Sequence, residues 1–416
     1  MHSSSISRRD LLKLAASAGA GMALGYGGLR MFSEQATQAV EQMPVQSENA
    51  GRVYPFYGTN QAGIATSQQR HMIFAAFDVE TEKRAELRDL LRIWSEYSAR
   101  MSLGEPVGEP AASRLLPPED NGENLGLNPA GLTVTFGFGS TLFKKNGTDR
   151  FGLSGKQPAG LVEIPPMAGD ALQADRSGGD LCVQVCADDP QVAFHAIRHL
   201  IRSSRGVAAM RWMQQGFLGI PKNPKGPAGT PRNLFGFKDG TQNIDTANPQ
   251  LMNEHVWVNG SDQPAWMRGG TYLAARRIRM LIEVWDRSSL DDQEKTFGRT
   301  KASGAPFGKK NEFDPVNPDY LPKNSHVRLA RGDGSIQIHR RGYSYNDGID
   351  PKTGQLDAGL FFISYQRSIA KQLIPMLHRL SSNDALNEYT LHTANAVFAV
   401  PPGASKGGFI GETLFI

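Results

Sequence analysis

Cysteine is scarce in this chain: two residues, Cys182 and Cys186, both in the stretch DLCVQVCADD. Their C-x3-C spacing is not the C-x2-C of zinc ribbons, and no second pair exists, which excludes a cysteine-held metal and a disulfide scaffold. On a strand the two thiols would share a face but stand roughly 13 Å apart, too far to be bridged. They are expected as small core residues. Charge of one sign is also lacking. The net charge is +4, with acidic and basic residues mixed along the chain, so there is no basic stripe for nucleic acid. Long hydrophobic runs are missing as well. The uncharged apolar stretch near the start, LAASAGAGMALGYGGL at 14–29, is short and glycine-rich for a membrane span. Glycine (45) and proline (25) are plentiful, which points to long ordered loops between apolar segments. The 416 residues, 39% hydrophobic and 21% charged, allow one large domain or two modest ones.

That apolar stretch follows SISRRDLLK at 5–13. A charged segment, a weak apolar segment and the loosely suitable small residues of Thr37-Gln38-Ala39 form a leader. Ser7-Arg8-Arg9 followed by Leu11-Leu12-Lys13 fits a twin-arginine signal, with Leu11 where phenylalanine is usual. Residues 1–39 are therefore expected to be removed. Export by this route occurs after folding, commonly with a cofactor inserted, so the protein is expected in the periplasm or on the extracellular, cell-envelope face.

Past the leader, alternating apolar residues predict strands at 71–80, 131–139, 179–188 and 207–217. Helical spacing predicts helices at 82–102 and at 190–204, the latter opening on proline. A Pro/Gly/Asn-rich loop fills 103–130. The order is the split βαβ of a ferredoxin-like unit. Downstream of a glycine-rich connector the grammar repeats. Strands are predicted at 270–286, 336–345, 359–367 and 395–401, and helices at 288–300 and 368–381, with Pro375 as a kink. The expected class is α+β: two ferredoxin-like halves with antiparallel sheets, 40–230 and 231–416, in one domain.

Nine histidines occur. His195 and His199 are spaced i,i+4 but have no glutamate between them, so no metal role is assigned to them. His378 and His392 are read as helical or helix-adjacent, and His255 as a loop residue. His326, in NSHVRLAR, sits among cations. A haem iron needs a neutral imidazole and cationic groups near its propionates, and this segment offers both; on the residues alone, a basic surface loop with an incidental histidine is the simpler reading. The segment RNLFGFKDGTQNI, 232–244, sets Asp239 among glycines and phenylalanines. A peroxide-using haem enzyme needs a proton carrier beside a fixed cation. An aspartate shielded from water can be the carrier and an arginine the cation.

These segments carry a resemblance. GFKDGTQN is similar to the G-x-x-D-G motif of the dye-decolourising (DyP-type) haem peroxidases. NSHVRLAR, HRRGYSY, FGRTKASGAPFG, GLFFISYQR and PFYGTNQAGI resemble, in order, the EfeB branch of that family, as does the twin-arginine leader. The resemblance implies one haem b in the C-terminal half, with His326 as the axial iron ligand. It implies Asp239 as distal proton carrier, Arg340 rather than Arg341 as distal arginine, and Asn243 ordering distal water or peroxide. Gly240, Thr241 and Gln242 would lie over the haem edge, and Arg331, Gly332 and Asp333 near the macrocycle or its propionates. His339, where the family usually has an aliphatic residue, should point away from Arg340 by strand alternation. Asn60 replaces a histidine common in this branch.

The implied activity is peroxidase: hydrogen peroxide oxidises an organic donor in one-electron steps. Aspartates ordinarily titrate near pH 4, so activity should be favoured by acid. Trp257, Trp266 and Tyr343 are candidates for surface oxidation of large donors. The alternative is a deferrochelatase-like release of iron from haem with the porphyrin intact, in concert with other components of a ferrous-iron uptake system. A third reading is an exported binding protein without haem. A homo-oligomer is left open.

Overall fold

The computed structural model describes residues 51–111, 113–219, 221, 229–260 and 264–416, so the leader expected at 1–39 lies outside the described residues. The first half runs β1 (His71–Val79), α1 (Arg84–Ser102), β2 (Thr133–Gly139), β3 (Leu181–Ala187), α2 (Pro190–Ser203) and β4 (Ala208–Phe217). Its strands lie side by side as β2-β3-β1-β4, all antiparallel. The second half runs β5 (Thr271–Met280), α3 (Leu290–Phe297), α4 (His326–Arg331), β6 (His339–Arg340), β7 (Tyr343–Ile349), β8 (Leu356–Gln366), α5 (Ile374–Asn383) and β9 (Thr390–Val400). Here the order is β9-β5-β8-β7, again antiparallel. Two narrow joints, Phe138↔Ala399 between β2 and β9 and Phe217↔Ser344 between β4 and β7, close the sheet into a barrel.

Closure explains why the strands read as almost continuous apolar runs. On β1, Met72, Phe74 and Ala76 pack inside the barrel with Trp212, Phe361 and Phe398. Ile73, Ala75 and Phe77 face outward onto Leu87, Trp94 and Leu200 of α1 and α2. Both faces are buried, so alternation is apolar–apolar rather than apolar–polar. Cys182 and Cys186 are free and buried, as expected. Helix α2 is fixed at its start by the Asp189 side chain, which accepts from the Gln191 and Val192 amides, with Pro190 in the first turn.

Several boundaries differ from the sequence reading. The strand expected over 270–286 ends at Met280, and Ile282–Trp285 forms a helical turn that buries Trp285. The strand expected over 336–345 is two strands, β6 and β7, interrupted at Arg341-Gly342. The Pro375 kink takes the form of a π turn, Ile369–Leu373, leading into α5. Proline has no N–H for the i−4 carbonyl, and a widened turn absorbs the missing bond. The last strand begins at Thr390 rather than 395, which puts His392 on a strand and not beside a helix. His255 ends a short helix, Pro249–His255, rather than lying in a loop.

Candidate functional site

His326 opens α4, and its ring is held from a distant segment. Nδ1 lies 2.6 Å from Oδ2 of Asp384, which is buried after the end of α5. The other Asp384 oxygen accepts from the Leu386 amide at 2.9 Å. Ala385 N–H donates to the Asn324 carbonyl at 2.9 Å, lacing the two segments together. Burial pulls the His326 pKa down, but the charge and hydrogen bond of Asp384 outweigh it, so the net shift is upward. The Asp239 and Arg340 charges also act on this imidazole, in opposite directions. With Nδ1–H donated to Asp384, Nε2 keeps its lone pair.

Asp239 is fixed by its own backbone, which donates to the Pro231 carbonyl at 2.9 Å. The next residue, Gly240, has φ +124, a conformation side chains rarely adopt. Arg340 lies on β6, paired with Ser364 of β8. Its Nη1 donates to Asp239 Oδ1 at 2.8 Å. Alternation sends the neighbours elsewhere. His339 Nε2 meets the Ile64 carbonyl at 2.9 Å, and Arg341 donates to the Thr66 carbonyl at 2.6 Å. Asn243 clamps the Arg340 backbone at both ends: Nδ2 donates to its carbonyl at 2.7 Å and Oδ1 accepts from its amide at 2.8 Å. That is a positioning role for the arginine.

Both pairs, His326–Asp384 and Asp239–Arg340, line one cavity of about 410 Å³, within the range of ordinary small-molecule pockets. Gly240, Thr241, Gln242 and Arg331 line it too, whereas Gly332 and Asp333 are not among its lining residues. Asp333 is exposed and accepts from the Ser335 amide and hydroxyl. Phe237 and Phe297 stack at 4.1 Å between centroids, and Phe297 meets the His326 ring edge-on at 6.0 Å. Phe235 and Phe237 are buried in a cluster with Trp285, which excludes water from this wall.

Three lining residues carry the electrostatics that sequence reasoning missed. Arg276 pairs with Asp170, and Arg299 donates to the Gly304 and Glu312 carbonyls. Yet the buried Arg276 Nε, Arg299 Nη2 and His392 Nδ1 have no hydrogen-bond partner among the described residues. Unsatisfied buried donors at a largely apolar cavity suit a flat, mostly apolar ligand carrying acid groups, and haem is such a ligand. Of the surface-oxidation candidates, Tyr343 and Trp266 are buried, and Trp257 is half-buried. Neither of the first two therefore presents an exposed ring to a large donor.

His339 makes an acid-stability prediction. Burial first, then the Arg341 charge, hold its pKa down to about 4. The unfolded chain takes up this proton near pH 6.5. Between those values the unfolded state binds more protons, so stability is present above pH 6.5 and is lost as pH falls toward 4, by about 3 kcal/mol in all. Urea unfolding at pH 7 and 4.5 should show that loss in the wild type and a smaller one in His339→Gln. Equal losses would contradict the assignment.

An imidazole fixed by a buried carboxylate, with an aspartate–arginine pair in the same apolar cavity, has the chemistry to hold a haem iron and to move a proton of peroxide. The chain belongs to the Dyp-type peroxidase family: the family's N-terminal model matches residues 61–218 and its C-terminal model residues 230–405. It is therefore an oxidoreductase, a peroxidase with haem as cofactor. It is 36% identical to the deferrochelatases of Shigella sonnei and Escherichia coli, over 98% of this chain and 96% of theirs. It is similar to the crystal structure of a DyP-type peroxidase from Streptomyces coelicolor (TM-score 0.81, 36% identity, 89% of this chain and 99% of that one). The DyP-type peroxidase from Cellulomonas bogoriensis is also similar (TM-score 0.78, 35% identity, 88% and 99%).

Proposed function

We propose that this peroxidase uses hydrogen peroxide to oxidise an organic donor in one-electron steps, with one haem b in the cavity between His326 and the Asp239–Arg340 pair. The observation that carries the reading is that the two pairs share one cavity. The chemistry supplied by bound haem is O–O cleavage and storage of the two oxidising equivalents. His326 would hold the haem iron through Nε2, and Asp384, by accepting from Nδ1–H, would fix the tautomer and raise the basicity of that nitrogen. Asp239 would take a proton from one oxygen of peroxide and return it to the oxygen that leaves. Its Oδ1 holds Arg340, which leaves Oδ2 for the exchange. Arg340 stabilises the charge that develops on the leaving oxygen. Asn243 keeps Arg340 in place. Arg276 and Arg299 are the cations available to propionates.

The organisation into two ferredoxin-like halves, 40–230 and 231–416, is supported by the strand orders. Counted within each half, with β6 and β7 taken as one interrupted strand, both read 4-1-3-2. The leader supports export in the folded state to the periplasm or cell-envelope face.

A second reading rests on similarity to the proteins named deferrochelatase: release of iron from haem with the porphyrin intact, linked to iron uptake. It uses the same His326 and the same cavity. Product analysis separates the two. Peroxide-dependent turnover of a dye with haem recovered intact supports the peroxidase, whereas iron-free porphyrin formed without peroxide supports the second reading.

A further inference from the structure

Far along the chain from His326, helix α2 and the 103–130 loop bring another group of ligating side chains together. His195 and His199 lie one turn apart on α2, both buried. The loop delivers Asp120, and one ligand atom from each of the three residues falls within 4.8 Å of the others. His195 Nε2 is 3.6 Å from Asp120 Oδ2. On the opposite edge of the ring, Nδ1 is 3.4 Å from Glu123 Oε2. Both ring nitrogens are fully buried and without a hydrogen-bond partner among the described residues, and so is Glu123 Oε2. A buried imidazole with two unsatisfied nitrogens is costly, and an ion is one way to resolve it.

We propose that Asp120, His195 and His199 form a binding site for a divalent transition-metal ion of the zinc type. Two imidazoles and a carboxylate are the nitrogen and oxygen donors such an ion takes. In tetrahedral zinc sites, bonds of about 2.0–2.1 Å put neighbouring ligand atoms roughly 3.3 Å apart, near the His195–Asp120 separation. Glu123 is not a ligand: it faces the far nitrogen of His195. There it accepts Nδ1–H and so fixes the tautomer that presents Nε2, the carboxylate–histidine–metal arrangement. Glu123 is itself held by Arg198 through Oε1 at 3.2 Å. Asp120 is held in place by the Val107 and Gly122 amides, at 2.8 and 2.7 Å.

His199 Nε2 accepts a long bond, 3.3 Å, from the Asn121 amide. Burial, then the neighbouring His195, hold its pKa down to about 4, so it is neutral and able to ligate at neutral pH. Desolvation works against ionised Asp120, but the hydrogen bonds from the Val107 and Gly122 amides prevail and the net shift is downward. With little solvent exposure, the site acts as a staple that ties the long loop to α2.

The test is equilibrium dialysis of the haem-loaded full chain against micromolar zinc(II), with bound metal counted by mass spectrometry. The wild type should retain one zinc per chain beyond its iron. His199→Ala and Asp120→Ala should lose it. Glu123→Gln should keep the stoichiometry but bind about 10–100-fold more weakly, whereas a glutamate that only tied down the loop would leave affinity unchanged. A zinc-edge anomalous map of the wild type needs no variant to fold: density between the three side chains supports the site. Density elsewhere, or wild-type retention no greater than that of His199→Ala, overturns it.

Discussion

Alanine at position 326 should yield folded protein that has lost haem affinity by at least about 100-fold, seen as a missing Soret band. Two histidines line the cavity, so the prediction is not trivial: His392 is there too. Burial, then the Arg276 charge, hold the His392 pKa down to about 3, so it is neutral and chemically able to ligate. What distinguishes His326 is its partner. Asp384 fixes the ring at 2.6 Å, while His392 Nδ1 has no partner among the described residues to orient it. An iron ligand is held by the bond its other nitrogen makes. His392→Ala should therefore keep the Soret band that His326→Ala loses, and the reverse pattern would exchange the two assignments. Asp384→Asn should fall between them, with haem retained but bound about 10–100-fold more weakly.

The half of the site read from sequence was local, and the half that was missed is long-range. Asp239 announced itself because glycines and phenylalanines around one carboxylate exceed what a turn needs. Arg340 was preferred to Arg341 on the resemblance alone, and the structure sends Arg341 to the Thr66 carbonyl and Arg340 to Asp239. Asp384 gave no signal. It lies 58 residues from His326, in a segment that reads as an ordinary helix end, and it does cap a turn there. His392 was misplaced because the start of its strand, Thr390–Thr393, carries no apolar alternation: Thr390, Leu391 and His392 are all half-buried. The barrel itself was not legible. Strand and helix order came through, but closure depends on one or two residue pairs at each joint, and pairing across such a distance leaves no periodicity in the chain. The Asp120–His195–His199 group was passed over for a related reason. A search for a glutamate between the histidines looks along the helix, and the carboxylates arrive from a loop.

Asp239→Asn should slow the reaction with peroxide by about 10²–10⁴-fold, the usual worth of a positioned proton carrier, or roughly 3–5 kcal/mol of barrier. Asparagine keeps the volume and an oxygen for Arg340, so the 2.8 Å contact can survive while proton exchange is lost. Arg340→Leu does the converse: it removes the cation and leaves the carboxylate. If the two act as a unit, the double variant should be little slower than the worse single one, because neither step proceeds without the other. The competing route is water. A smaller cavity of about 50 Å³, lined by Asp239, Asn243, Arg340 and Gln68, has room for one or more waters beside the same pair. Were water the carrier, with Arg340 supplying the charge, Arg340→Leu alone would be slow and Asp239→Asn would match the wild type. Stopped-flow rates of the ferric protein with peroxide decide between the routes.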